Sequence, residues 1–158
     1  MRRVILAGTA PAGGEGISNA GALLQDAIAK AGAENKHPKH LLFFRPSKNS
    51  QKAADAFLSR LSERKEDRDA AVTNEAIHAQ VTGITKWGMS ATSSLGAIRQ
   101  PVLVVNGDND IMVPTINSME LARNLPNAEL SIFPDAGHGV IFQYHDVFVE
   151  QALRFLQG

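Results

Sequence analysis

The sequence contains no cysteine. Disulfides, thiolate nucleophiles and cysteine-based zinc or iron–sulfur sites are therefore excluded. Neither sign of charge is in excess, since 16 Lys and Arg face 16 Asp and Glu. Phosphate binding needs a surplus of cations on one face, so nucleic acid is not an expected partner. No apolar run approaches the ~20 residues that cross a bilayer, so a membrane-spanning role is not expected either. The first apolar run, Val4-Ile5-Leu6-Ala7, is too short for the core of a secretion signal, and a cytoplasmic chain is expected. Internal repeats and low-complexity stretches are also missing. What remains is an ordinary globular composition, 44% hydrophobic and 20% charged. A length of 158 residues predicts a single domain, 1–158. Such a chain buries roughly 68–70% of the surface it exposes when unfolded.

Two apolar runs are bounded by turn residues, Val4 to Ala7 and Val102 to Val105, the second introduced by Pro101. Continuous apolar runs of this kind fit strands buried on both faces, as in a parallel sheet. Glu129 to Phe133, closed by Pro134, is a third candidate strand. Leu41-Leu42-Phe43-Phe44 is a fourth, short candidate strand. Helical spacing lies between the runs. Ala54, Phe57, Leu58 and Leu61 form one apolar stripe, and Ile77, Val81 and Ile84 repeat the spacing. A helix over 118–125 follows a possible cap at Thr115, and Val147 to Leu156 places Phe148, Ala152 and Phe155 on one face. From residue 101 the order is strand, helix, strand, helix, which predicts an α/β fold with right-handed crossovers. Residues 46–99 are more polar and interrupted, and the run Ser62 to Asp69 reads as a solvated segment.

Two turns stand out as chemistry. Gly107-Asp108-Asn109-Asp110 follows the second strand, and Ala136-Gly137-His138-Gly139 follows the third. Ligands of parallel sheets bind outside the carboxyl ends of the strands, and both turns lie on that edge. Taken singly, an aspartate there caps a helix and the histidine is a surface residue. Together, on adjacent strand ends, the carboxylate can accept the imidazole Nδ1–H, fix its tautomer and stabilise the imidazolium. Gly8-Thr9-Ala10-Pro11-Ala12-Gly13 has the glycine spacing of a phosphate loop, but Gly14 and Glu15 stand where Lys and Ser or Thr are needed. It reads instead as a loop at the carboxyl edge, able to line a pocket. His37 and His40 suggest a metal pair only until Pro38 is noticed, since it breaks the helix that would align them.

The stretch Pro101 to Pro114 resembles the acid-bearing strand and turn of the α/β-hydrolases. Phe133-Pro134-Asp135-Ala136-Gly137-His138-Gly139 resembles their histidine turn, and the helix with Phe148 and Phe155 their last helix. Arg3 to Thr9 is similar to the strand that follows the nucleophile's helix. The resemblance implies a partial α/β-hydrolase sheet of about three parallel strands with flanking helices. Residues 1–34 and 100–158 would form the core portion, and 35–99 a helical lid. It makes Asp110 the triad acid and His138 the general base, with Asp108 turned elsewhere and His145 on the surface. The lid residues Phe43, Phe44, Phe57, Trp87 and Met89 then fit an apolar acyl or ring pocket, although the same spacing also fits core. No cofactor and no metal are implied.

The family's nucleophile elbow, Gly-x-Ser-x-Gly between a strand and a helix, is absent. The nearest string, Gly88-Met89-Ser90-Ala91-Thr92, follows no buried strand, and Ser93 and Ser94 fare no better. The expectation is therefore the C-terminal half of a serine-type hydrolase of ester, amide or related bonds. It would supply the acid and base and be inactive alone. The alternative is a catalytically inactive binding or assembly module of that fold. Either way, Val4 to Ala7 would be an open sheet edge, with no proline or inward charge to deter pairing. A homodimer joined antiparallel through this strand is expected, unless a separate N-terminal half takes the place.

Overall fold

A computed structural model describes residues 2–158. Its centre is a parallel sheet of three strands, β1 (Val4–Ala7), β2 (Val102–Gly107) and β3 (Ala128–Phe133), in the order β1-β2-β3. Val4 pairs with Val102 and Val102 with Ala128, so the carboxyl ends of all three strands lie at one edge. Every residue of β2 is buried, as its β-branched run requires. β1 is half-buried throughout and pairs only with β2 among the described residues.

Alternation along the strands builds two layers of core. On one face Leu103, Val105 and Phe133 pack with Ala136, Val140 and Phe155, with Ile5 and Ala7 beside them. Phe155 belongs to the closing helix α7, described below. On the other face Val102 and Val104 meet Leu121 and Leu125, with Val4 and Leu6 alongside. The sheet is thus covered by helices on both faces, the doubly covered arrangement that parallel strands require.

Between β1 and β2 lie a short 3₁₀ turn at Ile17–Asn19 and four helices. These are α1 (Ala20–Ala33), α2 (Lys39–Leu42), α3 (Lys48–Glu63) and α4 (Asn74–Gly88). The stripe read over 54–61 falls within α3, where Ala54 and Phe57 are buried beside Phe44. Ser47 caps that helix by accepting from Ser50 N, and its own hydroxyl donates to Asp135 Oδ2 at 2.6 Å. α3 thereby rests on the histidine turn. α4 packs on α1 and the 3₁₀ turn and buries none of its residues fully. The charged run leaves α3 at Glu63, and residues 64–73 are all exposed.

After β2 come α5 (Ile116–Asn124), β3, the short helix α6 (Val140–Gln143) and α7 (His145–Gln157). Two local expectations change. Leu41 to Phe44 is no strand: Leu41 N and Leu42 N both bond to Pro38 O, which closes the single turn of α2. A proline at the start favours that turn, and no neighbouring strand offers a ladder to compete. Thr115 precedes α5 as expected but makes no cap hydrogen bond: its backbone is already helical, with φ −54° and ψ −25°, rather than extended as a capping residue's usually is, and its hydroxyl donates to Gly107 O at 2.7 Å.

Candidate active site

The acid turn is held by its own polar groups. Asn106, fully buried at the end of β2, accepts from Gly107 N at 2.8 Å and donates to Val113 O at 3.2 Å. Thr115 adds its bond to Gly107 O. The segment from 107 to 115 is therefore closed at both ends. Within it Asp110 Oδ1 accepts two backbone N–H groups, from Met112 at 2.8 Å and Val113 at 2.9 Å. One oxygen is fixed by the backbone, and the other is aimed. Oδ2 lies 2.9 Å from His138 Nδ1, and the Asp110 side chain has 0% exposure. A carboxylate only accepts, so Nδ1 carries the proton and Nε2 is left as the ring's acceptor.

The histidine turn is held from three sides. Asp108 does point elsewhere: its oxygens accept from Asp135 N at 3.1 Å and Ala136 N at 3.2 Å, with Arg45 at 3.4 Å. Asp135 takes φ of 51°, the left-handed corner that aspartate tolerates. From α2's side, Phe43 O accepts from Gly139 N at 2.7 Å, and the Phe43 ring meets the imidazole edge-on at 5.4 Å between centroids. At the end of β1, Gly8 lies so near the imidazole that a Cβ would stand 3.0 Å from it. Asn106, Thr115, Phe43 O and Gly8 were missed as supports of the pair. Only Gly8, a glycine closing an apolar run, left a mark in the sequence.

His138 lines a cavity of about 350 Å³ that is mostly apolar. Gly8, Thr9 and Ala10 form part of its wall, so the glycine-containing loop lies at the carboxyl edge and lines this space. Trp87 lines it as well, although half-exposed at 49%. Its indole Nε1 donates to Ala10 O at 3.1 Å and its carbonyl accepts from Gly13 N at 3.0 Å. These two bonds tie the end of α4 to the loop after β1.

The other apolar candidates lie elsewhere. Phe44 is 4% exposed, locked in a cluster with Ala54 and Phe57. Phe43 supports the imidazole edge-on and is itself stacked on Phe142. Met89 is 75% exposed, because α4 has ended and the chain has turned outward. The spare serines are equally remote. Ser90 Oγ donates to Lys86 O, and Ser93 and Ser94 line a different hollow beside Glu120 and Arg123. His37 and His40 engage their ring nitrogens with protein partners. His37 Nδ1 accepts from Lys39 N, and His40 Nε2 pairs with Asp55 at 2.9 Å. Partial burial, with Lys39 and His40 nearby, lowers the pKa of His37. His145 is half-exposed on α7.

The structure thus sets an Asp–His pair at the carboxyl edge of a parallel sheet, beside an apolar cavity. Comparison with known proteins gives the family. The family described as "alpha/beta hydrolase fold" matches residues 33–143, and the chain belongs to that family. An alpha/beta hydrolase fold protein from Chitinophaga pinensis superposes with a TM-score of 0.87 at 41% identity, covering 99% of this chain and 56% of its own. A 2-hydroxy-6-oxo-6-phenylhexa-2,4-dienoate hydrolase from Burkholderia cepacia is 34% identical over 83 residues, 52% of this chain and 28% of that enzyme. A poly(3-hydroxyalkanoate) depolymerase from Ectopseudomonas oleovorans is 37% identical over 70 residues, 44% of this chain and 24% of that enzyme. The chain thus spans about half of the solved relative, and its matches cover about a quarter of these curated ones. Its lineage is that of hydrolases. No described helix is long and apolar enough to cross a membrane.

Proposed function

We propose that this chain is the acid–base half of a serine-type α/β-hydrolase acting on an ester, amide or related bond. The observation that carries the reading is the 2.9 Å Asp110–His138 pair bordering an apolar cavity. In the reaction, a serine hydroxyl from a nucleophile-bearing segment attacks the substrate carbonyl and passes its proton to His138 Nε2. Asp110 holds the imidazolium. His138 then gives the proton to the leaving group, and water repeats the cycle to free the acid.

The segment that brings the serine docks on β1. Val4 N and Gly8 N donate toward β2, to Pro101 O and Val105 O. Successive N–H groups alternate in direction along a strand, so those of Ile5 and Ala7 face the open edge. A separate N-terminal half is the occupant in the active enzyme. Without it, two copies of Val4–Ala7 pair antiparallel into a six-stranded sheet. A second reading, an inactive binding or assembly module, is favoured by Ser90, Ser93 and Ser94 all lying outside the His138 cavity.

The test is hydrolysis of p-nitrophenyl butanoate by the chain alone, and mixed with a hydrolase N-terminal half that ends in Gly-x-Ser-x-Gly. The chain alone should stay near the uncatalysed rate and sediment as a dimer, and the mixture should turn over. Ile5→Pro removes an outward N–H without touching the β1–β2 ladder, and should abolish both dimer and complementation. An inert but well-formed complex leaves the inactive module as the answer. Turnover by the chain alone that disappears in Ser90→Ala would make Ser90 the nucleophile.

A further inference from the structure

Glycine inside a helix costs about 1 kcal/mol relative to alanine, so a helix-interior glycine needs a reason. α1 and α4 illustrate two. A Cβ on Gly21 of α1 would stand 3.1 Å from Val81, so Gly21 allows the two helices to approach closely. Gly32 lies in the last turn of α1, where its carbonyl accepts from Asn35 N. Gly83 has neither excuse. It lies well inside α4, and a Cβ built on it meets nothing within 4 Å. Yet Gly83 lines the cavity that holds His138. Positions 83, 84 and 87 share one helix face, and Ile84 and Trp87 line the same cavity. A side chain at 83 would therefore project into that space.

We infer that Gly83 sets the depth of the cavity and so the length of the group it accepts. The ligand class is a straight, apolar acyl chain whose carboxyl end lies at His138 and whose tail runs along Ile84 and Trp87. Ile17, Met112 and Val113 supply further apolar wall. A volume of about 350 Å³ lies at the small end of ligand sites, which suits a chain of medium length. Calling the ligand an acyl group rests on the hydrolase reading. The cavity's dependence on Gly83 does not.

Trp87 is the only tryptophan in the sequence, so its fluorescence reports on the cavity without catalysis. Butanoate, hexanoate and octanoate are titrated into the whole chain, and the His138 ring signals are followed by NMR. In the wild type, affinity should rise about fourfold per added methylene, the value of burying one more CH₂. In Gly83→Leu, octanoate should lose roughly tenfold or more, the worth of two buried methylenes, while butanoate stays within about twofold. Gly83→Ala should fall between them and melt no lower than the wild type, because alanine is the better helix former. Equal octanoate binding by wild type and Gly83→Leu overturns the inference, as does the absence of any Trp87 response to octanoate. If chain-length selection moves with residue 83 but complementation yields no esterase, the inference stands and the hydrolase reading fails. If complementation works with a chain-length profile blind to residue 83, the reverse holds.

Discussion

Asp110→Asn is expected to cut turnover of the complemented enzyme by a factor on the order of 10⁴. The variant should still fold, because the amide oxygen can take over the bonds from Met112 N and Val113 N. What changes is the group facing the imidazole. An amide N–H donates where the carboxylate accepted, so His138 Nδ1 must become the acceptor and Nε2 must carry the proton. The ring is then protonated on the nitrogen that should receive the nucleophile's proton. Nitrogen chemical shifts of His138 in the uncomplemented chain read the tautomer directly and need no activity. Asp108→Asn is the control: it sits on Asp135 N and Ala136 N and should leave the tautomer unchanged. An unchanged tautomer and undiminished turnover in Asp110→Asn would move the acid to another residue.

Gly107→Ala is expected to have the second largest effect. Gly107 ends β2 against the carbonyl of Ala136, and a methyl there would be driven into backbone atoms of the histidine turn. Backbone cannot rotate away as a flexible side chain would, so the two turns must separate. The cost should approach the top of the overpacking range, about 3 kcal/mol. At ~2–4 °C of melting temperature per kcal/mol for a chain of this size, the loss is readily seen calorimetrically. Separation also stretches the Asp110–His138 bond, so the His138 Nδ1 signal should change even in the folded fraction. A melting temperature equal to wild type would show that the turns have slack the structure does not display.

The strands were legible because their signals are local. Val102 to Gly107 is β-branched, introduced by proline and closed by glycine, and it lies where those residues place it. The turns were legible for the same reason, and the structure brings Asp110 and His138 to hydrogen-bonding distance in the turns after adjacent strands. Leu41 to Phe44 shows the limit of such reading. Four apolar residues have no period of their own, and what decided between strand and helix was the lack of a neighbouring strand. Phe44 and Trp87 show a second limit. Both are aromatic residues of the segment between β1 and β2, but one is sealed by Phe57 and the other is tethered through Ala10 O to the cavity wall. That tether joins residues 77 positions apart, and no periodicity within α4 announces it.

The spacing of the strand partners sets an order in time. Val102 meets Ala128 across a short excursion, whereas Val4 must find Val102 across the four helices between β1 and β2. Closing the longer loop costs more entropy before any contact repays it. β2, α5, β3 and α7 can therefore assemble as a nucleus from near neighbours, and β1 joins late. Amide protons of β1 should exchange with solvent sooner than those of β2, and equal protection of the two strands would refute this order. Gly8, which closes over the imidazole, arrives with β1. The Asp110–His138 pair can thus form early, in a half-built sheet, and acquire its wall only when the last strand docks.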